Sequence, residues 1–225
     1  MLKKLLIIFL IVTAAGPVMA ATRFYLPSSG ASPVSPAFDS WYSSTNADRV
    51  RMVTSKSGTA MLGKSTGSYS ASGVYIVNRM YISDPLAAQT ISCSIKGYLL
   101  GKKSAATAKR FVLLKRWSND GTLLRSYFFG VYATSLDLTN SYTNRGCPKP
   151  GYTVNQTFAY GERLSIEIGY YKTGPAACAM YDMYGDLGAT DLPENETDTD
   201  TSKSPWIEFS QDLIFLGSGG KSLII

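Results

Sequence analysis

Hydrophobic and polar residues alternate with a period of two along much of this chain, which is the spacing of a β-strand with one buried face. The clearest case is 90–99, in which one face carries Ile91, Cys93, Ile95, Gly97 and Leu99 and the other carries Thr90, Ser92, Ser94, Lys96 and Tyr98. This pattern predicts a half-buried antiparallel strand.

Seven further segments have the composition or the alternation of strands. They are 22–26, 74–82, 110–117, 122–132, 163–171, 177–184 and 206–216. In 163–171 the alternation places Leu164, Ile166, Ile168 and Tyr170 inward and Arg163, Ser165 and Glu167 outward. The run Ser118-Asn119-Asp120-Gly121 is a turn signal and predicts a hairpin. The segment 47–69 gives only a weak strand signal, and 135–154 is predicted to be a long loop.

The mature region contains no long stripe with the 3.6-residue period of a helix. We therefore predict an all-β fold, an antiparallel two-sheet β-sandwich of jelly-roll-like type. The chain has 225 residues without a fixed-period repeat or a shift in composition, so one domain is expected over 21–217. After a Gly-rich segment, 218–225 is predicted to be a flexible C-terminal tail.

The first 20 residues have the organisation of a secretory signal peptide. Lys3 and Lys4 are basic, 5–12 is apolar, and Val18-Met19-Ala20 provides a small-residue cleavage context. The apolar stretch is shorter than the roughly 20 residues that span a bilayer. We expect a secreted or cell-surface protein with no membrane anchor after cleavage. A start at Met19 is the alternative, and it would favour assembly in a virion.

Charge and composition exclude several classes of function. The net charge is +6, and removal of the signal leaves 20 basic against 16 acidic residues, about +4. This charge is mild and dispersed, so nucleic acid is not an expected partner. The chain has no histidine, which excludes Ser-His-Asp and Cys-His nucleophiles and His-ligated metals. Paired carboxylates remain formally open to glycoside hydrolysis, but none has a motif around it, and we expect no enzyme.

Seven of the sixteen carboxylates lie between Tyr181 and Asp200. Calcium takes six to eight oxygen ligands from carboxylates and loop carbonyls. The candidate ligands of a structural calcium ion are Asp182, Asp186, Asp191, Glu194 and Asp198. Their spacing is not that of an EF-hand, and a solvated acidic loop that leads into the last strand is the alternative. No other cofactor is expected.

Tyrosine is the most frequent aromatic residue, with fifteen copies. Tyrosines on an exposed sheet face can stack on sugar rings, so Tyr75, Tyr81 and Tyr98 are candidate glycan contacts. Burial in the core is the alternative for each of them. Trp41 is predicted to cover one end of the core rather than to form an exposed platform.

The three cysteines are Cys93, Cys147 and Cys178. In an oxidising compartment one disulfide can form, and we predict the pair Cys147–Cys178 because Cys93 alternates with core isoleucines. Three buried thiols that pack as small hydrophobic residues are the alternative.

Several short stretches resemble a known group of sequences. They are Ala21–Pro27, Lys56–Met61, Pro85–Ser92, Ser118–Thr122, Gly161–Arg163, Ala189–Pro193 and Pro205–Phe209. Together they resemble uncharacterised β-rich proteins of bacteriophage and environmental viral genomes, which are usually taken for virion or tail-associated components. The resemblance covers nearly all of 21–217 and implies a structural role, but it carries no catalytic or binding residues.

These features favour a non-enzymatic structural or adhesion protein, exported or virion-associated. It would assemble with copies of itself as a homo-oligomer or join a larger particle. The alternative is a carbohydrate-binding module that contacts glycans and holds a calcium-stabilised acidic loop.

Overall fold

In a computed structural model of the protein, the described residues are 20–105, 107–132 and 137–217. Within these ranges the chain forms two β-sheets and no helix, which confirms the predicted all-β two-sheet sandwich. A helix long and apolar enough to cross a bilayer is likewise not found in them. Except for Ala20, the predicted signal peptide lies outside the described residues, as does the predicted tail 218–225.

Twelve strands are formed by the described residues. They are β1 (Thr22–Tyr25), β2 (Asp48–Arg51), β3 (Leu62–Tyr69), β4 (Val74–Ile82), β5 (Gln89–Lys103), β6 (Thr107–Trp117), β7 (Leu124–Tyr132), β8 (Thr143–Gly146), β9 (Tyr152–Phe158), β10 (Arg163–Thr173), β11 (Cys178–Tyr184) and β12 (Trp206–Phe209). The predicted 74–82 strand matches β4, and the predicted hairpin is the β6–β7 pair. The predicted closing strand 206–216 is shorter than expected and ends at Phe209.

The five-stranded sheet has the order β2-β4-β10-β6-β7. Its central strand β10 pairs antiparallel with β4 and β6. Strand β2 pairs parallel with β4, which departs from the wholly antiparallel prediction. The reason is the connection: between β2 and β4 the chain crosses to the other sheet to form β3, so it returns in the same direction.

The seven-stranded sheet is organised around β5, which is 15 residues long. On one side β5 pairs with β12 and β11, and on the other with β9 and β8. Strands β1 and β3 extend the sheet outward from β12 and β11. A single long strand thus holds four shorter ones in register.

The main core lies between the two sheets. The buried residues that form it include Phe24, Val50, Ile91, Ile95, Leu99, Val112, Leu114, Leu164, Ile166, Ile168, Ile207 and Phe209. The inward positions predicted for β10 are therefore confirmed, and so are Ile91, Ile95 and Leu99 of β5. Cys93 is only half-buried and packs against this core.

Arg163, Ser165 and Glu167 lie on the opposite, outward face of β10 as predicted, but this face is also buried and is not open to solvent. The Pro- and Ser-rich segment that follows β1 crosses this face. Trp41 Nε1 and the Asp39 backbone N–H both donate to Glu167 Oε2. Trp41 accordingly covers the outside of the five-stranded sheet, not an end of the core.

The predicted long loop 135–154 contains β8 and the start of β9, so that prediction is wrong as well. Both strands pair with β5. Strand β8 reads Thr-Asn-Arg-Gly and has no hydrophobic alternation, because its buried positions Asn144 and Arg145 are polar. Only pairing with a neighbouring strand makes this segment extended.

A buried ion pair joins the sheets. Arg110 of β6 and Asp182 of β11 are fully buried, with 2.5 Å between Nη2 and Oδ1. Asp182 Oδ2 accepts hydrogen bonds from Asn78 Nδ2 at 3.1 Å and from Tyr184 OH at 3.2 Å. Arg110 Nη1 donates to the Leu99 carbonyl at 3.0 Å. Burial disfavours the guanidinium charge, but the Asp182 carboxylate outweighs this effect, and the pKa of Arg110 is raised.

We expect Asp182→Ala to lower the free energy of unfolding by roughly 3–5 kcal/mol, because it leaves the Arg110 charge buried without a counter-charge. Urea unfolding followed by circular dichroism measures this. The exposed Asp212 provides the control, and Asp212→Ala should change stability by no more than about 0.5 kcal/mol. Equal unfolding midpoints for the two variants would contradict the structural role of the pair.

Candidate functional site

The acidic stretch is divided among separate structural positions. Asp182 lies in the core. Asp186 is buried and caps the turn at 57–59, where it accepts bonds from Ser57 N and Oγ and from Thr59 N and Oγ1 at 2.5–2.7 Å. Burial alone would raise the pKa of Asp186, but these hydrogen bonds outweigh it and lower the pKa.

The remaining predicted calcium ligands are engaged in ion pairs. Asp191 lies 2.7 Å from Arg23 Nη1 and 2.8 Å from Lys56 Nζ. Burial opposes ionisation of Asp191, and the hydrogen bonds from Lys56 and Arg23 overcome it, so its pKa is lowered. Glu194 pairs with Lys96 at 2.6 Å. Asp198 pairs with Lys203 at 2.6 Å.

Across the described ranges, no group of three or more Asp, Glu or Cys side chains is placed to hold a metal ion. The five predicted ligands Asp182, Asp186, Asp191, Glu194 and Asp198 are not brought together into one calcium site. The stretch does form the connection between β11 and β12, as the sequence predicted.

The predicted glycan-binding tyrosines lie in different parts of the molecule. Tyr81 is buried in the main core. Tyr98 is 4% exposed and packs against Trp206, with ring centroids 5.5 Å apart. Tyr75 is 37% exposed and lies on the outer face of the five-stranded sheet. Tyr81 and Tyr98 therefore cannot contact a glycan, and Tyr75 is the one accessible member of the predicted set.

The predicted Cys147–Cys178 disulfide is not formed, and all three cysteines are free thiols. Cys147 is buried in the main core, whereas Cys178 belongs to a second cluster with Ile76 and Met180. The alternative of thiols that pack as hydrophobic residues describes these two. Burial raises the pKa of Cys147 to about 12, so its thiolate does not form near neutral pH.

An aromatic cluster surrounds Tyr75. Neighbouring strands place Tyr75 of β4 next to Tyr171 of β10, with centroids 4.7 Å apart, and next to Phe111 of β6, at 5.0 Å. Trp41 adds a fourth ring, 5.8 Å from Phe111. Trp41 lies so close to the sheet that a Cβ at Gly169 would stand 2.8 Å from its ring. Glycine at this position lets the indole reach the backbone of β10.

Three of these rings line a cavity of about 190 Å³, which we call the aromatic pocket; its lining residues are Asp39, Ser40, Trp41, Tyr75 and Phe111. Asp39 Oδ1 accepts a hydrogen bond from Tyr127 OH at 2.7 Å. This bond is the main reason why the pKa of Tyr127 rises to about 12. Asp39 is half-buried at the pocket, on the segment that covers the sheet.

A second buried ion pair supports the pocket from beneath. Lys115 and Glu167 lie on adjacent strands and are in direct contact, and both are buried. Burial raises the pKa of Glu167, although Lys115 and the hydrogen bond from Trp41 act in the opposite direction. The Trp41 indole is thus fixed by a buried carboxylate.

Sequence reasoning identified Tyr75 and Trp41 but not their association, and it missed Phe111 and Asp39. Alternation along the predicted strand 110–117 places Phe111 on the face opposite Arg110 and Val112, but it does not indicate which of the two faces is the core. Asp39 lies in a loop without periodicity, and no local pattern relates it to β6 or β4.

No protein-family model and no curated protein matches the sequence. Solved structures similar to this chain include an α-amino acid ester hydrolase, at 12% identity over 84% of this chain and 36% of that chain, with a TM-score of 0.45. An aminopeptidase from the marine sediment archaeon Thaumarchaeota archaeon has 10% identity over 87% of this chain and 37% of that chain, with a TM-score of 0.48. A chain from the structure of infectious bursal disease virus, Gx strain, has 13% identity over 71% of this chain and 35% of that chain, with a TM-score of 0.30.

The chain therefore spans little more than a third of the length of each of these proteins. With such low TM-scores, the similarities carry no argument about function.

The lowered pKa of Asp186 gives a pH-dependent prediction. A carboxyl group whose folded pKa lies below its unfolded value of about 3.9 stabilises the fold above that value, and the contribution is lost as the pH falls through the folded pKa. Wild type should therefore exceed Asp186→Asn in melting temperature at pH 7, and the difference should shrink below about pH 4. Thermal melts between pH 7 and pH 2 test this, with Asp212→Asn as the exposed control. A difference that does not change with pH would contradict it.

Proposed function

We propose that this chain is a non-enzymatic structural or adhesion protein, exported or virion-associated, that assembles with copies of itself or within a larger particle. Three features support the proposal: the signal-like 1–20 segment, the resemblance to β-rich viral proteins, and an edge strand that, in the described residues, pairs along one side only.

The edge strand β7 is the observation that carries the proposal. It is nine residues long and closes one end of the five-stranded sheet. In the described part of the chain it pairs with β6 along one side only. Unpaired backbone N–H and C=O groups on such an edge are a template for another strand.

The composition of β7 does little to block strand pairing. Its one charged residue is Arg125, which lies 3.6 Å from Glu162, and it contains no proline or lysine. Its two register shifts fall opposite Leu114–Lys115 and Arg116–Trp117, so the stretch from Phe129 onward pairs with β6 in a regular register. The regular half of the edge is thus suited to antiparallel pairing with a second copy.

The interior supports a structural role rather than catalysis. Each buried charge described above is paired with an opposite charge, Arg110 with Asp182 and Lys115 with Glu167. Each carboxylate also accepts hydrogen bonds from neighbouring side chains. Groups held in this way stabilise the sandwich and are not available to a substrate.

The alternative function, a carbohydrate-binding module, would rest on one structural element, the aromatic pocket around Tyr75. Its predicted calcium support is not assembled in the described residues.

We expect the mature protein to form oligomers in solution and Gly130→Lys to shift them toward monomer, because a lysine on the edge opposes strand addition. Gly130 is exposed and does not have a left-handed φ, and an added Cβ would meet the flexible end of Leu113 at 3.3 Å and the Phe111 ring at an ordinary contact distance of 3.6 Å. Size-exclusion chromatography with light scattering measures the mass, and circular dichroism confirms that the variant folds.

Tyr160→Lys is the matched control, since Tyr160 is 75% exposed and lies outside β7. It should leave the oligomer unchanged. A wild-type protein that stays monomeric at the highest attainable concentration would contradict self-assembly, and equal dissociation by both lysines would contradict the assignment to β7.

A further inference from the structure

We propose that the aromatic pocket binds a compact organic cation, specifically a quaternary ammonium group such as that of choline. This inference assigns a ligand chemistry to a surface that self-assembly through β7 does not require. It is independent of whether the protein forms oligomers.

The ring geometry favours a cation over a sugar. The planes of Trp41 and Phe111 are inclined at 76°, and those of Tyr75 and Phe111 at 68°. Rings inclined so steeply do not form the flat platform on which a pyranose stacks. Trp41, Tyr75 and Phe111 line one small space from different directions, and an aromatic lining around a ligand suits a nearly spherical cation.

The charge of the pocket points the same way. Of the five residues that line it, Asp39 alone is charged. The buried cation Lys115 is balanced by direct contact with Glu167, the acceptor of the Trp41 indole. The lining therefore offers a net negative charge beside aromatic faces, which is the combination that recognises quaternary ammonium groups.

Hydrogen-bonding capacity also separates the two ligands. A sugar needs several polar partners for its hydroxyl groups, whereas a trimethylammonium group donates no conventional hydrogen bond. Besides the Tyr75 hydroxyl, the lining supplies Asp39 and Ser40 as polar side chains, since the Trp41 indole N–H is bonded to Glu167 and one Asp39 oxygen already accepts a bond from Tyr127. The volume of about 190 Å³ is below the roughly 300–1,000 Å³ of sites for larger ligands, so the pocket suits a small headgroup.

The test is a titration of ¹⁵N-labelled protein with choline, read from the indole N–H signals of its three tryptophans. The Trp41 indole donates to Glu167 at the pocket and should shift saturably. Trp206 is buried in a separate cluster with Tyr98 and should not move. The uncharged carbon isostere 3,3-dimethylbutan-1-ol should bind about tenfold more weakly, because it lacks the cation–π and ionic terms.

Asp39→Asn keeps the shape of the pocket and removes its charge. It should weaken choline binding about tenfold and leave the isostere unaffected. Tyr160→Ala removes an exposed ring that does not line the pocket, and it is the control. It should change the affinity for neither choline nor the isostere. Absence of a saturable shift, equal binding of choline and its isostere, or tighter binding of methyl glucoside than of choline would each overturn the proposal.

Two arms distinguish the sources of the group. Co-sedimentation with phosphatidylcholine vesicles but not with phosphatidylglycerol vesicles would identify a lipid headgroup as a ligand. Binding of free choline without co-sedimentation would identify a soluble ligand. Either result supports the cation site, and failure in both arms overturns it.

Discussion

Arg110 and Asp182 place opposite charges in the dry space between two sheets, where neither could remain alone. Moving either ion from water to the interior costs several kcal/mol, and the pair recovers this only when its geometry and its other hydrogen bonds are satisfied. Because side chains alternate along a strand, a one-residue slip of β6 or β11 would turn one charge outward and leave the other buried and unpaired. The pair therefore disfavours a slip of β6 or β11, and Asn78 and Leu99 hold its two ends in place.

The five-stranded sheet carries a second buried ion pair, Lys115 with Glu167, on its outer face. This pair requires a cover, since both groups would otherwise meet water and attract each other only weakly. The segment with Trp41 provides that cover, and Gly169 allows the indole to lie against β10. The aromatic pocket therefore forms where this segment covers the Lys115–Glu167 ion pair.

The sequence predicted what depends on local periodicity and missed what depends on contact between distant segments. Inward residues such as Ile166 and the hairpin turn at 118–121 follow from alternation and turn chemistry, and both are correct. The burial of Glu167 could not be predicted, because its partner and its cover come from other parts of the chain. Strand β8 was missed for the same reason: its polar sequence becomes extended only beside β5. In the aromatic pocket, Tyr75 was predicted to contact a ligand because of its residue type. The position of Asp39 could not be predicted, because it depends on tertiary contact.

The two surfaces that the fold leaves open are physically connected. Tyr127 belongs to the edge strand β7, and its hydroxyl group donates to Asp39 of the pocket at 2.7 Å. Tyr127 pairs with Lys115 beside a register shift, whereas the regular stretch of β7 begins at Phe129. The hydrogen bond to Asp39 therefore comes from the half of the edge that the proposed strand pairing does not use.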